Sequence, residues 1–235
     1  MKKIILFFLL LTVTTGNSQT IQKGWNCFEG YIGINDIVVN VYCDSVGNLK
    51  GDYCYKKYET RIPLIGKLKP GSLFLDEFTD NKITAKFNGT INEKDNTIGG
   101  KWSSTTHSDI HFHLKLSSQS GSNSFEKRYA VGTKESVELF FKKAKVAILS
   151  DDKTWLSKNT EYPLTLSSNK SKLKIKNAQD FIKKYKQIIT PAFKQTIKET
   201  CTCNIFSNWR GAMIANGFLW INEFEKGKLK ITAIH

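Results

Sequence analysis

The sequence predicts a two-unit protein, all-β in its first half and α+β in its second, and three observations carry that expectation. Apolar residues alternate at a period of two before residue 117, and they recur at helical spacing after residue 133. Between the two regimes lies SSQSGSNS, residues 117–124, a run of Ser, Gly, Asn and Gln of the kind that joins domains. The expected architecture is an antiparallel β-meander forming a small barrel over residues 19–116, a linker over 117–132, and an α+β domain of helices and strands over 133–235. Each unit is long enough for a modest core.

Ahead of the first unit, Lys2 and Lys3 precede an apolar run from Ile4 to Val13, and Gly16-Asn17-Ser18 offers small residues to a signal peptidase. Residues 1–18 are therefore read as a signal peptide, and the protein as exported to the periplasm or beyond the cell. The run is about ten residues, short of the roughly 20 that a membrane-spanning helix needs. No long apolar stretch follows, so no transmembrane segment is expected in the mature chain.

Five alternating runs define the barrel: Ile37, Val39, Val41; Ile62, Leu64; Leu73, Leu75; Ile83, Ala85, Phe87; and Ile110, Phe112, Leu114, Leu116. Turns such as Val46-Gly47-Asn48, Lys69-Pro70-Gly71 and Lys94-Asp95-Asn96 suit hairpins, because Gly, Asn and Asp tolerate positive φ and Pro presets its own. About eight short strands result, and closing them hides the sheet edges that would otherwise pair with other chains.

The segment HSDIHFHL, residues 107–114, holds three of the four histidines. If Ile110, Phe112 and Leu114 point inward, His111 and His113 share the outer face and could share a metal, with His107 or Asp109 as a third ligand. Lys115 brings an opposing positive charge to that face. Five cysteines are an odd number, so at least one has no partner within the chain. Cys43 with Cys54 is the expected disulfide, and Cys27 with Cys43 the alternative. Cys201-Thr202-Cys203 lacks the second Cys pair or nearby His that would complete a structural zinc site.

The first unit also repeats Phe28-Glu29-Gly30, Gly51-Asp52-Tyr53, Phe87-Asn88-Gly89 and Gly99-Gly100-Lys101-Trp102. This pattern resembles the Gly-aromatic punctuation of lipocalin-like exported β-barrels, which implies a barrel with room for an apolar ligand.

In the second unit Thr133 can cap a helix whose buried stripe is Val137, Phe140, Phe141, Ala144, Ala147 and Ile148, with Asp151-Asp152 ending it. Strands are expected at Thr160–Leu166 and Lys170–Lys176, then an Asn177-capped helix carrying Phe181, Tyr185, Ile188 and Ile189. Thr190-Pro191 starts a short third helix with Phe193 and Ile197. Two strands close the chain, Gly211–Asn222 and Lys228–Ile234. This order, with Tyr162-Pro163-Leu164, Asp180-Phe181, Asn208-Trp209-Arg210-Gly211 and Asn216-Gly217-Phe218-Leu219-Trp220, resembles exported nuclear transport factor two-like domains. The resemblance implies helices on a curved sheet forming a cone. Trp209 and Arg210 would then be anchors for a partner or a sugar ring, whereas Trp220 reads as a core residue.

Charge is unevenly spread. Of a formal net charge of +14, residues 134–235 carry +10, with 19 basic residues against 9 acidic ones. Lys170, Lys172, Lys174 and Lys176 share one face of an expected strand, and Lys183, Lys184 and Lys186 follow on the next helix. Such a face steers acidic partners: a protein, an anionic envelope glycan or a lipid surface. Export argues against nucleic acid. No GxSxG elbow, P-loop, dinucleotide fingerprint or HExxH helix occurs, and no cofactor is expected. The function read from the sequence is an exported non-enzymatic binding protein, an inhibitor or immunity protein acting on an acidic or hydrolytic partner. Its candidate binding residues are Lys170, Lys172, Lys174, Lys176, Lys183, Lys184, Trp209 and Arg210. The alternatives are a carrier of a small apolar ligand in the barrel and a hydrolase or isomerase using the cone pocket.

Overall fold

Eight antiparallel strands close into a barrel in the computed structural model, which describes residues 20–107, 109–168 and 171–235. The expected signal peptide and Lys170 lie outside the described residues. The strands are β1 (Gly24–Ile32), β2 (Asn35–Cys43), β3 (Asn48–Tyr55), β4 (Arg61–Lys69), β5 (Ser72–Thr79), β6 (Lys82–Asn92), β7 (Thr97–Ser104) and β8 (Ile110–Ser120). Each pairs with the next, and β8 returns to β1 with Gly30 opposite Leu114. Within the barrel no sheet edge remains open.

The period-two alternation turns Phe28, Val39, Val41, Leu64, Leu75, Phe87, Phe112 and Leu114 into one buried cluster inside the barrel. Its centre is aromatic: Tyr53 meets Phe87 at 5.4 Å between ring centroids and Phe87 meets Phe112 at 5.2 Å, both edge-on. Burying each such side chain is worth about 1.5–3 kcal/mol. One of the repeated glycines serves this packing. A side chain at Gly89 would strike Phe112 and Ile98, so its absence makes room for the Phe112 ring.

Strand β8 runs on to Ser120, into the stretch expected as linker. The residues after it are held down rather than loose: Phe125 stacks on Trp25 at 5.1 Å, and Arg128, Tyr129 and Val131 are buried. Helix α1 (Lys134–Leu149) follows, with Thr133 and Ser136 forming a reciprocal cap and the expected stripe from Val137 to Ile148 facing the core. Asp152 does more than stop α1, since its carboxylate caps α2 (Lys153–Lys158). A two-stranded ribbon, β9 (Leu164–Ser168) with β10 (Ser171–Ile175), leads into α3 (Ala178–Lys183), α4 (Tyr185–Ile188) and α5 (Pro191–Glu199). Asn177 caps α3 and Thr190 caps α5, with Pro191 in its first turn.

A four-stranded antiparallel sheet completes the chain: β11 (Phe206–Asn208), β12 (Gly211–Ile214), β13 (Leu219–Phe224) and β14 (Lys228–Ile234). The single strand expected over 211–222 is split by a 3-10 turn at Ala215–Gly217, where Ala215, Asn216 and Gly217 all have positive φ. Ala212, Ile214, Leu219, Ile221 and Ile231 face a core shared with Phe141, Phe181, Phe193 and Ile197. Trp220, expected in the core, instead sits half-buried on the other face, opposite Met213 and Ala233, because Leu219 and Ile221 take the inward parity. Among the described residues no helix is long and apolar enough to cross a membrane.

Candidate functional site

The densest chemistry lies where the barrel wall meets the second unit. Val38, Asn40, Asp52 and Cys54 point away from the barrel interior, yet all are buried, because Cys203 and its neighbours cover them. Asp52 is ringed by cations: Arg61 pairs with it directly, Lys134 Nζ donates to Oδ2 at 2.8 Å, and Arg128 Nη1 approaches at 3.5 Å. Arg61 Nε also reaches Glu138 on α1 at 2.9 Å. Burial pushes the Asp52 carboxyl up, but Arg61, Arg128 and Lys134 together outweigh it and hold Asp52 below the usual carboxylate range. Arg128 also lies over the Trp25 ring, 4.9 Å from its centroid. These charges fasten one unit to the other.

Beside this network Cys54 forms a disulfide with Cys203, and Cys201 Sγ lies 3.7 Å from Cys54 Sγ. The expected Cys43–Cys54 bridge is not formed. Cys43 faces the barrel interior and Cys54 the exterior, at opposite ends of the β2–β3 hairpin, with Cys43 opposite Leu49 and Cys54 opposite Val38. Cys27 lines a different recess, beside Arg128, so the alternative Cys27–Cys43 bridge is not formed either; both thiols are free and buried. Cys201 also borders a cavity of about 230 Å³ together with Glu29, Lys56, Asn204, Phe206 and Met213. Lys56 and Glu29 pair across its rim, and Asn204 Nδ2 donates to Glu29 Oε1 at 2.7 Å.

Inside the barrel one acid is buried. Tyr53 donates its hydroxyl to Glu77 Oε2 at 2.6 Å, Trp102 Nε1 approaches the same oxygen at 3.3 Å, and Thr84 donates to Oε1 at 2.8 Å. Burial, reinforced by Glu77, holds the Tyr53 phenol far above its ordinary value. Glu77 is thereby committed to structural hydrogen bonds.

The predicted residues divide. Lys172, Lys174 and Lys176 stand exposed while Leu173 and Ile175 turn inward, and Lys183 is exposed on α3. Lys184 is engaged, pairing with Asp180 at 3.0 Å and donating to the Lys174 carbonyl. Trp209 is 82% exposed, with the Arg210 guanidinium 4.9 Å from its ring centroid. His111 and His113 occupy the outer face of β8, where His113 stacks near Tyr31, while His107 lies in the preceding turn against Thr106. Asp109 is taken by Lys101 at 2.8 Å. Among the described residues, the histidines do not converge as three metal ligands would; the three sulfurs of Cys54, Cys201 and Cys203 do, lying within 4.8 Å of one another.

Sequence reasoning missed the junction, and one signal could have found it. Ile37-Val38-Val39 breaks the alternation of β2, placing an apolar side chain on a face that a free barrel would leave wet. Compared with known protein families and with curated proteins, the chain finds no match.

Proposed function

We propose that this is an exported, non-enzymatic binding protein whose basic C-terminal face captures an acidic protein, in the manner of an inhibitor or immunity protein. The observation that carries the reading is the lysine stripe on β10. Lys172, Lys174 and Lys176 project from one face of a two-stranded ribbon; among the described residues no carboxylate forms a salt bridge with Lys172, Lys174 or Lys183, while Lys176 lies near Asp180, which its backbone N–H also reaches at 3.0 Å. Alternate residues on a strand are about 6.6 Å apart, so the three form a line of charge roughly 13 Å long. Such a line raises the encounter rate with an acidic surface and weakens with salt. Trp209, with Arg210 beside it, is an exposed aromatic anchor available to the same unit.

The competing readings draw less support. A carrier needs space in the barrel, and Tyr53, Phe87 and Phe112 fill its centre. A hydrolase or isomerase needs acids free to act, whereas Asp52 and Glu138 are spent in ion pairs and Glu77 in hydrogen bonds. The order of helices followed by an antiparallel sheet supports a nuclear transport factor two-like cone for the second unit, here with Phe141, Phe181 and Phe193 in its core.

The test is a charge reversal. The triple variant Lys172→Glu, Lys174→Glu, Lys183→Glu should lose salt-sensitive capture of acidic proteins from envelope fractions, and retention on polyglutamate. A control with equal charge change on exposed barrel lysines, Lys67→Glu, Lys82→Glu, Lys94→Glu, should keep both. Equal loss in the two variants would sink the assignment to this face, and retention on anionic vesicles alone would make the partner a lipid surface.

A further inference from the structure

The loop after α5 holds two sulfurs beside a third. Cys54 Sγ is bonded to Cys203 and lies 3.7 Å from Cys201 Sγ. The loop is pinned at both ends: Lys145 Nζ donates to the Thr200 carbonyl at 2.7 Å, and Asn204 Nδ2 donates to Glu29 at 2.7 Å. Between these points, Asn40 Nδ2 and Arg61 Nη2 donate to the Cys203 carbonyl at 3.3 and 3.4 Å. Neither sulfur can drift far from Cys54.

We propose that Cys54, Cys201 and Cys203 form a thiol–disulfide exchange centre in which the cross-link between the barrel and the C-terminal unit alternates between Cys203 and Cys201. The Cys201 thiolate attacks Cys54 Sγ, the Cys54–Cys203 bond breaks, and Cys203 leaves as the thiolate and takes up the proton that Cys201 gave up. One S–S bond forms as one breaks, so the step needs no outside oxidant or reductant. The two units stay tethered throughout.

What changes is the location of the free thiol. Both cysteines belong to one buried cluster with Val38 and Cys54, but Cys201, 7% exposed, borders the 230 Å³ cavity with Glu29, Lys56 and Asn204, whereas Cys203, 1% exposed, does not line it. The bond register therefore decides whether the cavity wall carries a reactive thiol. Burial pushes the Cys201 thiol above its ordinary range, with Glu59 adding to the rise and Arg61 and Lys145 opposing it. Exchange is accordingly slow at neutral pH and quickens as pH rises.

Disulfide mapping tests this on the whole protein. Cys201 and Cys203 share the tryptic peptide Glu199–Arg210, so fragment ions spanning Thr202 tell which one is joined to Cys54 and which is alkylated. After incubation at about pH 9, within reach of an ordinary thiol pKa, the wild type should yield both the 54–203 and the 54–201 cross-links. Cys203→Ser should retain the cross-link through Cys201, and Cys201→Ser should hold only 54–203. Alkylation of both Cys54 and Cys201 in Cys203→Ser would overturn the proposal. Should that variant fail to fold, a wild-type time course showing alkylation at Cys201 alone at every pH would overturn it equally.

Discussion

Lys134, in the first turn of α1, donates to Asp52 in the wall of the barrel at 2.8 Å, so the helix that organises the second unit is tied to the first. Asp52 also receives Arg61 and faces Arg128, which makes it the negative centre of three cations. Its folded pKa is lowered, so its contribution to stability is present above the unfolded carboxyl value of about 4 and is lost as pH falls through the folded value. Stability should therefore decline in acid below about pH 4. Asp52→Asn leaves the cations facing a neutral amide and should cost about 3–5 kcal/mol at neutral pH. Denaturant unfolding at neutral and acid pH measures both effects; a variant as stable as the wild type, with the same acid decline, would mean that Asp52 does not anchor the junction.

Glu77 makes a second prediction, inside the barrel. Tyr53→Phe removes the 2.6 Å donor to Oε2 and leaves only the longer Trp102 contact on that oxygen. The cost should be about 1.5–3 kcal/mol, the range for a hydrogen bond to a charged group. Glu77→Gln, which keeps an acceptor oxygen, should cost less than Glu77→Leu. An unchanged urea midpoint in Tyr53→Phe would show that the hydroxyl is not a needed partner.

Trp209 separates binding from folding. At 82% exposed it contributes little to the core, so Trp209→Ala should shift stability by no more than about 0.5 kcal/mol. If the basic face captures a partner as proposed, loss of an aromatic anchor worth about 2 kcal/mol weakens capture roughly thirtyfold. Calorimetry against a captured partner, with thermal unfolding alongside, tells the two apart; a lowered Tm with unchanged affinity would make Trp209 structural.

The barrel was legible because alternation is a local signal, repeated in run after run and punctuated by turn residues such as Gly47 and Gly71, both at positive φ. Helix α1 was legible for the same reason, with a cap at Thr133 and a stripe behind it. The junction was not, because its partners are distant in sequence: Cys54 and Cys203 are 149 residues apart, and no local pattern selects one over Cys201. Asn40 and Asp52 have the outward parity of their strands, and parity alone does not say that a second unit covers that outside; the apolar Val38 on the same face is the hint that it is covered. The break in β12–β13 was readable from Asn216-Gly217, a turn dipeptide inside an otherwise strand-like run.

The same Gly-aromatic pattern that suggested a barrel yields a sharp stability contrast. A Cβ on Gly30 would lie 1.8 Å from the His113 carbonyl oxygen and 2.9 Å from Leu114 Cα, both backbone atoms of β8. Because β1 and β8 are the pair that closes the barrel, Gly30→Ala must push the seam apart, at a cost of about 3 kcal/mol. Gly121, just past the end of β8, meets nothing within 4 Å and is not among the residues at positive φ. Gly121→Ala should therefore be neutral, or stabilise by up to about 1 kcal/mol by restricting the unfolded chain. Paired denaturant titrations of the two variants decide the matter: similar midpoints would mean that the seam tolerates a side chain at Gly30, and that close backbone approach is not why glycine stands there.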